Sequence, residues 1–174
     1  MANGFTAYTP WFRSSGGETG KRPMFFAHHG GGSNTSHTQN GSTFKINLTA
    51  SPDVDHTNDF DESNSRFVVP INGYYFIIYN VCIQHQGNRC TEDIGISIRK
   101  NNGVVVNYED HSANSSDSNV LFTNMSGSAI VLCAANDQIE LYCTPYNGYA
   151  SGDDSNFTIG TGSRTNMTGF LLGF

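Results

Sequence analysis

Residues 66–83, Arg-Phe-Val-Val-Pro-Ile-Asn-Gly-Tyr-Tyr-Phe-Ile-Ile-Tyr-Asn-Val-Cys-Ile, constrain the fold more than any other stretch of the chain. Phe67-Val68-Val69 is a short β-type run stopped by Pro70, whose ring fixes φ and withholds a ladder N–H. Asn72-Gly73 reads as the positive-φ pair of a tight turn. Residues 74–83 then run aromatic and β-branched with no charge. A segment of that kind is a strand buried on both faces, and it belongs at the centre of two packed sheets.

The flanking chain is consistent with that centre. Pro23-Met24-Phe25-Phe26-Ala27 is a short strand, and residues 43–49 alternate Phe44, Ile46 and Leu48 against Lys45 and Asn47. Ile94, Ile96 and Ile98 alternate in a strand that Asn101-Asn102-Gly103 turns into Val104-Val105-Val106. Residues 120–134 alternate again, and Ala135-Asn136-Asp137 reads as a hairpin turn into residues 138–143. On that reading Val131, Cys133, Ile139, Leu141 and Cys143 share one apolar face, while Ile130 and Leu132 lie on the other and imply a covered outer surface. Residues 157–159 and 168–174 are the last strands. No window shows an apolar stripe of helical period, and a polar fraction dominated by Asn, Ser and Thr suits turns and strand surfaces. The fold class is all-β.

At 174 residues the chain is one domain long and able to bury about 70% of its unfolded surface. The first part, residues 1–22, is an aromatic arm (Phe5, Tyr8, Trp11, Phe12) followed by a Gly/Ser hinge at residues 14–20, and the domain proper is 23–174. The arm reads either as a segment folded back on the domain or as an anchor that grips a partner. A net charge of −6 with nine scattered basic residues excludes a nucleic-acid face. No signal peptide is read at Met1-Ala2-Asn3-Gly4, and no apolar run is long enough to span a membrane. Seven Asn-x-Ser/Thr sequons are what a chain this rich in Asn, Ser and Thr produces by chance.

Four cysteines, Cys82, Cys90, Cys133 and Cys143, form no metal-ligand spacing. They read as buried free thiols, with Cys82–Cys90 the pairing to weigh against that. Two further groups bear on metals. His28, His29 and His37 lie within ten residues but lack a nearby carboxylate or thiolate at ligand spacing, so solvated loop histidines are the simpler reading. Asp53, Asp55, Asp59 and Asp61, with Glu62, give the oxygen density that calcium wants. Asn58 and Asn64 stand where an EF-hand needs its Gly and its Glu, which leaves a solvated acidic loop as the competing reading. No nucleophile elbow, HExxH or phosphate loop is present, so the chain is read as non-enzymatic and without an obligate cofactor.

Several blocks resemble one family. Pro23-Met24-Phe25-Phe26-Ala27 is similar to the opening strand of the complement C1q globular head. Phe60-Asp61 and the run from Arg66 to Phe76 resemble its Phe-x-x-Pro-x-x-Gly-x-Tyr-x-Phe block. Lys100-Asn101-Asn102-Gly103 resembles its Lys-Asn-Gly turn with one residue added, Ala135-Asn136-Asp137-Gln138-Ile139 its Gly-Asp-x-Val turn, and Thr168-Gly169-Phe170-Leu171-Leu172 its closing strand. The resemblance spans residues 23–174 and lacks a collagen stalk. It implies a ten-stranded jelly-roll β-sandwich of the C1q/tumour necrosis factor (TNF) type, assembled as a homotrimer and binding ligands through loops.

The expectations follow. Tyr75, Ile77, Tyr79, Ile130 and Leu132 are the candidate trimer interface, with the face assigned by strand parity. The loops 110–119 and 145–156 are the candidate ligand loops. In the second, Tyr146 and Tyr149 offer faces for sugar stacking, and Asp153 and Asp154 offer acceptors for hydroxyls or a cation. The expected function is a trimeric virion accessory, a bacteriophage capsid decoration or host-surface-binding head at the virion surface, held to a shell or tail by the arm. The alternative is a secreted recognition protein of the complement or lectin type binding glycans or proteins.

Overall fold

The computed structural model describes residues 22–30, 36–38, 42–49, 54–86, 93–111, 122–145 and 156–173. These residues form strands β1 (Met24–His29), β2 (Ser36–Thr38), β3 (Phe44–Lys45), β4 (Val54–Asp55), β5 (Phe60–Asp61), β6 (Arg66–Val68), β7 (Gly73–Gln86), β8 (Asp93–Lys100), β9 (Gly103–His111), β10 (Phe122–Cys133), β11 (Gln138–Pro145), β12 (Asn156–Ile159) and β13 (Gly162–Gly173), with one 3-10 turn at Glu62–Asn64. No helix among them is long and apolar enough to cross a membrane.

All pairings are antiparallel and fall into two sheets. In the first, β7 lies between β10 on one side and β13 followed by β12 on the other, with β1 and β2 next and β4 outermost. In the second, β11 lies between β8 and the pair β3 and β6, with β9 and β5 at the edges. Segments that run along one neighbour share a lane, so the thirteen strands occupy ten lanes, five in each sheet. This is the jelly-roll sandwich expected from the sequence.

β7 is the centre of the first sheet, and its inward side chains Tyr75, Ile77, Tyr79, Val81 and Ile83 are fully buried. The diagnostic block forms the aromatic heart of the core. Phe67 stacks on Phe25 at 4.5 Å, Phe25 on Phe60 at 5.4 Å, and Phe67 meets Tyr75 at 5.7 Å. Burial pushes the Tyr75 phenol pKa well up, and its hydroxyl donates to the Ile71 carbonyl at 2.9 Å, which satisfies its one polar atom.

Three turn readings meet the structure differently. Asn101 and Asn102, at φ 50° and 68°, make the two-residue turn from β8 to β9 as expected. Gly73 does not make a turn. It begins β7 where the backbone is crowded, since a Cβ there would lie 2.6 Å from the Gly173 carbonyl oxygen and 2.6 Å from Leu171 Cδ1. Asn72 instead accepts the Ala135 N–H at 2.8 Å. The Ala135-Asn136-Asp137 turn does not close a hairpin: β10 belongs to the first sheet and β11 to the second, so the turn carries the chain across the sandwich.

That crossing is tied by side chains. Asp137 accepts from the Ala134 N–H at 2.8 Å and from Asn101 Nδ2 at 2.6 Å, and Lys100 donates to the Leu132 carbonyl at 2.9 Å. Connections 87–92, 112–121 and 146–155 leave from the opposite end of the sandwich, where β7, β9 and β11 finish.

Candidate assembly face

The outer face of the first sheet is where this chain departs from an ordinary soluble surface. Register places Leu132 beside Tyr74. In the next row Ile130, Phe76, Phe170 and Met24 run side by side across four strands. Ser128, Ile78, Thr168 and Phe26 follow, and then the polar row Ser126, Asn80, Asn166 and His28. Ile130 is 63% exposed, Leu132 58%, Tyr74 45% and Leu172 41%. Phe76 and Phe170 pack edge to face at 5.7 Å. Paired strands hold these side chains side by side on one face, so they form a contiguous apolar patch bounded by a polar row. Patches of that kind mark docking surfaces.

Of the five residues of the sequence-derived interface, two lie on this outer face and three do not. Ile130 and Leu132 point outward, on the face with Tyr74 and Ile78. Tyr75, Ile77 and Tyr79 are corrected: they point inward between the sheets with no exposed surface, and so they cannot reach another chain. Strand parity separates the two sets but does not say which is outside when both are apolar. The outward residues missed from sequence are Tyr74, Phe76, Ile78, Phe170 and Leu172. The small residues opposite the inward set carried the signal. A Cβ on Gly169 would meet Ile77 Cδ1 and Phe25 Cε1, each at 2.6 Å, and one on Gly127 would meet Tyr79 Oη at 2.6 Å, as close-packed interiors require.

The acidic stretch does structural work in the residues described; Asp53 lies outside them. Asp55 accepts the backbone N–H groups of Asp59 and Phe60 at 3.0 Å each. Asp61 caps the 3-10 turn through the Asn64 N–H at 3.1 Å and takes Ser63 Oγ at 2.7 Å and Arg66 Nε at 3.0 Å. Hydrogen bonds from Ser63 and Asn64, helped by Arg66, hold its pKa down at about 2. Burial raises that of Asp59, with Asp55 adding repulsion. No group of three His, Cys, Asp or Glu among the described residues is arranged to hold a metal ion. His29 Nδ1 lies 2.7 Å from the Gly30 carbonyl, and His37 stacks on Phe44.

Cys82, Cys133 and Cys143 are buried and free, and Cys90 lies outside the described residues. Burial pushes the Cys133 thiol pKa up to about 11 and that of Cys143 further, which makes both inert as nucleophiles. Of the first ligand loop, Asp110 falls within β9, and residues 112–119 lie outside the described residues. Tyr146, Tyr149, Asp153, Asp154 and the arm residues Phe5, Tyr8, Trp11 and Phe12 lie outside them too.

On the outer face of the second sheet, Lys45 donates to Glu140 at 2.8 Å and to the Asn64 carbonyl at 2.7 Å, and Arg99 lies over the Tyr142 ring at 4.3 Å. This face is charged where the other is apolar, so the two sheets have distinct outer chemistries.

Known folds share this arrangement. The globular domain of zebrafish complement 1qA superimposes with a TM-score of 0.61 at 14% identity, over 87% of this chain and 98% of its own. Murine APRIL gives 0.58 at 9% identity over 87% and 100%, and the Eiger TNF of S. frugiperda gives 0.56 at 10% over 87% and 94%. No curated protein sequence matches the chain. Residues 29–172 match the sequence profile of the C1q domain, and the chain belongs to that family.

Proposed function

We propose that this chain is a non-enzymatic homotrimeric head whose apolar outer face is the contact between subunits. The single observation that carries the reading is the contiguous patch around Tyr74, Ile130, Leu132 and Leu172. Proteins of the C1q/TNF fold are trimeric, and C1q and TNF domains are typically recognition modules rather than enzymes. Partial burial of these side chains against a second copy returns several kcal/mol per contact, at roughly 25 cal/mol per Å². A docking surface of this apolarity suits a permanent assembly better than a transient one.

The head serves a larger particle as a virion accessory, a capsid decoration or host-surface-binding knob of bacteriophage type. Three buried, unpaired cysteines among the described residues suit a protein assembled in a reducing compartment and released with a particle. Phe5, Tyr8, Trp11 and Phe12 precede the matched residues and supply the anchor. Tyr146, Tyr149, Asp153 and Asp154 contact a surface glycan or protein. Full-length protein and a chain lacking residues 1–20 test this together, by sedimentation and by cosedimentation with purified particles. Both should be trimers, and only the full-length chain should attach. Attachment by the truncated chain places the anchor elsewhere, and a folded monomer removes the trimeric reading.

A further inference from the structure

β2 and β3 are the shortest pieces of the sandwich on the lanes they share, and they belong to different sheets. Among the described residues β2 pairs only with β12, through three residues, and β3 only with β11, through two. What joins them is a ring stack. The His37 imidazole lies 3.6 Å from the Phe44 ring at an interplanar angle of 3°, and both lean on the buried Phe157 ring, at 5.6 Å and 6.3 Å. The stack thus clasps the edge of one sheet to the edge of the other, at the end from which connections 87–92 and 146–155 leave. Beside it the hydroxyls of Thr43 and Thr144, 3.0 Å apart, tie the start of β3 to β11 within the second sheet.

We propose that this clasp is acid-sensitive: protonation of His37 parts β2 from β3 and loosens that end of the head. A neutral imidazole stacks on phenyl rings without needing water, whereas an imidazolium there must be hydrated or paired. Among the described residues, the groups packed around it offer no counter-charge. On β2 neither Ser36 nor Thr38 titrates, and β12 contributes Asn156, Phe157 and Thr158. Cys143 of β11, opposite Phe44, stays a neutral thiol through burial. Lys45 of β3 is itself cationic and is turned to Glu140. No carboxylate among the described residues pairs with His37.

One effect works the other way. A cation over a ring face is attracted by the ring's quadrupole, more strongly where water is excluded. Burial acts against the charged form and lowers the His37 pKa below the ordinary 6.5. The folded state then binds fewer protons than the unfolded one, and the stability the clasp gives is present above pH 6.5 and lost as pH falls through that value and the lower folded one.

The test uses the full-length chain. Hydrogen exchange at the amides of residues 36–38 and of Ile46, corrected for the intrinsic pH dependence of exchange, should accelerate several-fold between pH 7.5 and pH 5, while β7 amides hold. In His37→Phe, which keeps the rings and cannot ionise, the acceleration should vanish. NMR titration of His37 in the wild type should give a pKa below 6.5 and stands whether or not the variant folds. A pKa at or above 6.5, unchanged exchange at pH 5, or the same acid loosening in His37→Phe overturns the proposal.

Discussion

The assembly face predicts the effect of replacing Ile130 and Leu132 with serine. In the lone subunit these side chains are 63% and 58% exposed, so little of the fold rests on them. Fully burying a large aliphatic side chain is worth about 1.5–3 kcal/mol. Roughly three-fifths of that remains to be gained at each position, which makes the pair worth about 2–4 kcal/mol per subunit contact. At a tenfold change per 1.4 kcal/mol, Ile130→Ser with Leu132→Ser should weaken each contact about 30- to 700-fold. Sedimentation equilibrium across nanomolar to micromolar concentration measures this directly. The wild type should be trimeric throughout the micromolar range and the double variant should dissociate there into folded monomers with unchanged far-UV circular dichroism. A double variant that stays trimeric with unaltered affinity would refute the assignment of this face. A wild type that is monomeric at micromolar concentration removes the interface altogether.

Four further outcomes follow from other parts of the molecule. Asp61→Ala removes the cap of the 3-10 turn and should cost about 1 kcal/mol in denaturant unfolding. Because the folded Asp61 pKa is depressed to about 2 from 3.8, its contribution is present above pH 3.8 and lost as pH falls toward 2, so the wild type and variant melting curves should converge in that window. Gly169→Val drives a side chain into Ile77 and Phe25 and should destabilise by about 1–3 kcal/mol, read as a lower melting temperature. In native protein, iodoacetamide should leave Cys82, Cys133 and Cys143 unlabelled by peptide mapping, and guanidinium should expose all three. Tyr146→Ala with Tyr149→Ala should lower glycan-array or cell binding while leaving the melting temperature unchanged, and unaltered binding counts against that loop.

Architecture was readable from sequence because the features that encode it are local. Alternation in residues 94–98 and the two asparagines at 101 and 102 produced β8, its turn and β9 as expected. The Phe67 to Phe76 block became the aromatic core that its composition promised. Positive φ was less readable. Asn72-Gly73 has the composition of a turn, yet Gly73 is needed for the approach of Gly173 and Leu171, a contact made by the far end of the chain. Likewise Ala135-Asn136-Asp137 reads as a hairpin in isolation. Its Asn136 does adopt φ 71°, but whether the following strand pairs with the preceding one depends on where Val69 and Asn101 stand. Local chemistry gives the turn and distant partners give its topology.

The assembly face shows where period-two reasoning stops. In β10 the alternation is complete, with Phe122, Asn124, Ser126 and Ser128 outward before Ile130 and Leu132. The polar half of that row identifies the outer face, and the two apolar residues at its end then stand out as a patch. β7 has no such polar half between residues 74 and 79, so its two faces are alike in sequence. Its inner face is identified only through neighbours: Tyr79 opposite Gly127 and Ile77 opposite Gly169, the small residues that make room for large buried ones. A strand apolar on both faces at the centre of a sandwich with only one filled interior therefore has a second apolar face to account for. The second sheet does not cover it, because that sheet already packs on the inner face. Another copy of the chain is the cover proposed for it, and Tyr74, Phe76 and Ile78 are the residues that copy would meet.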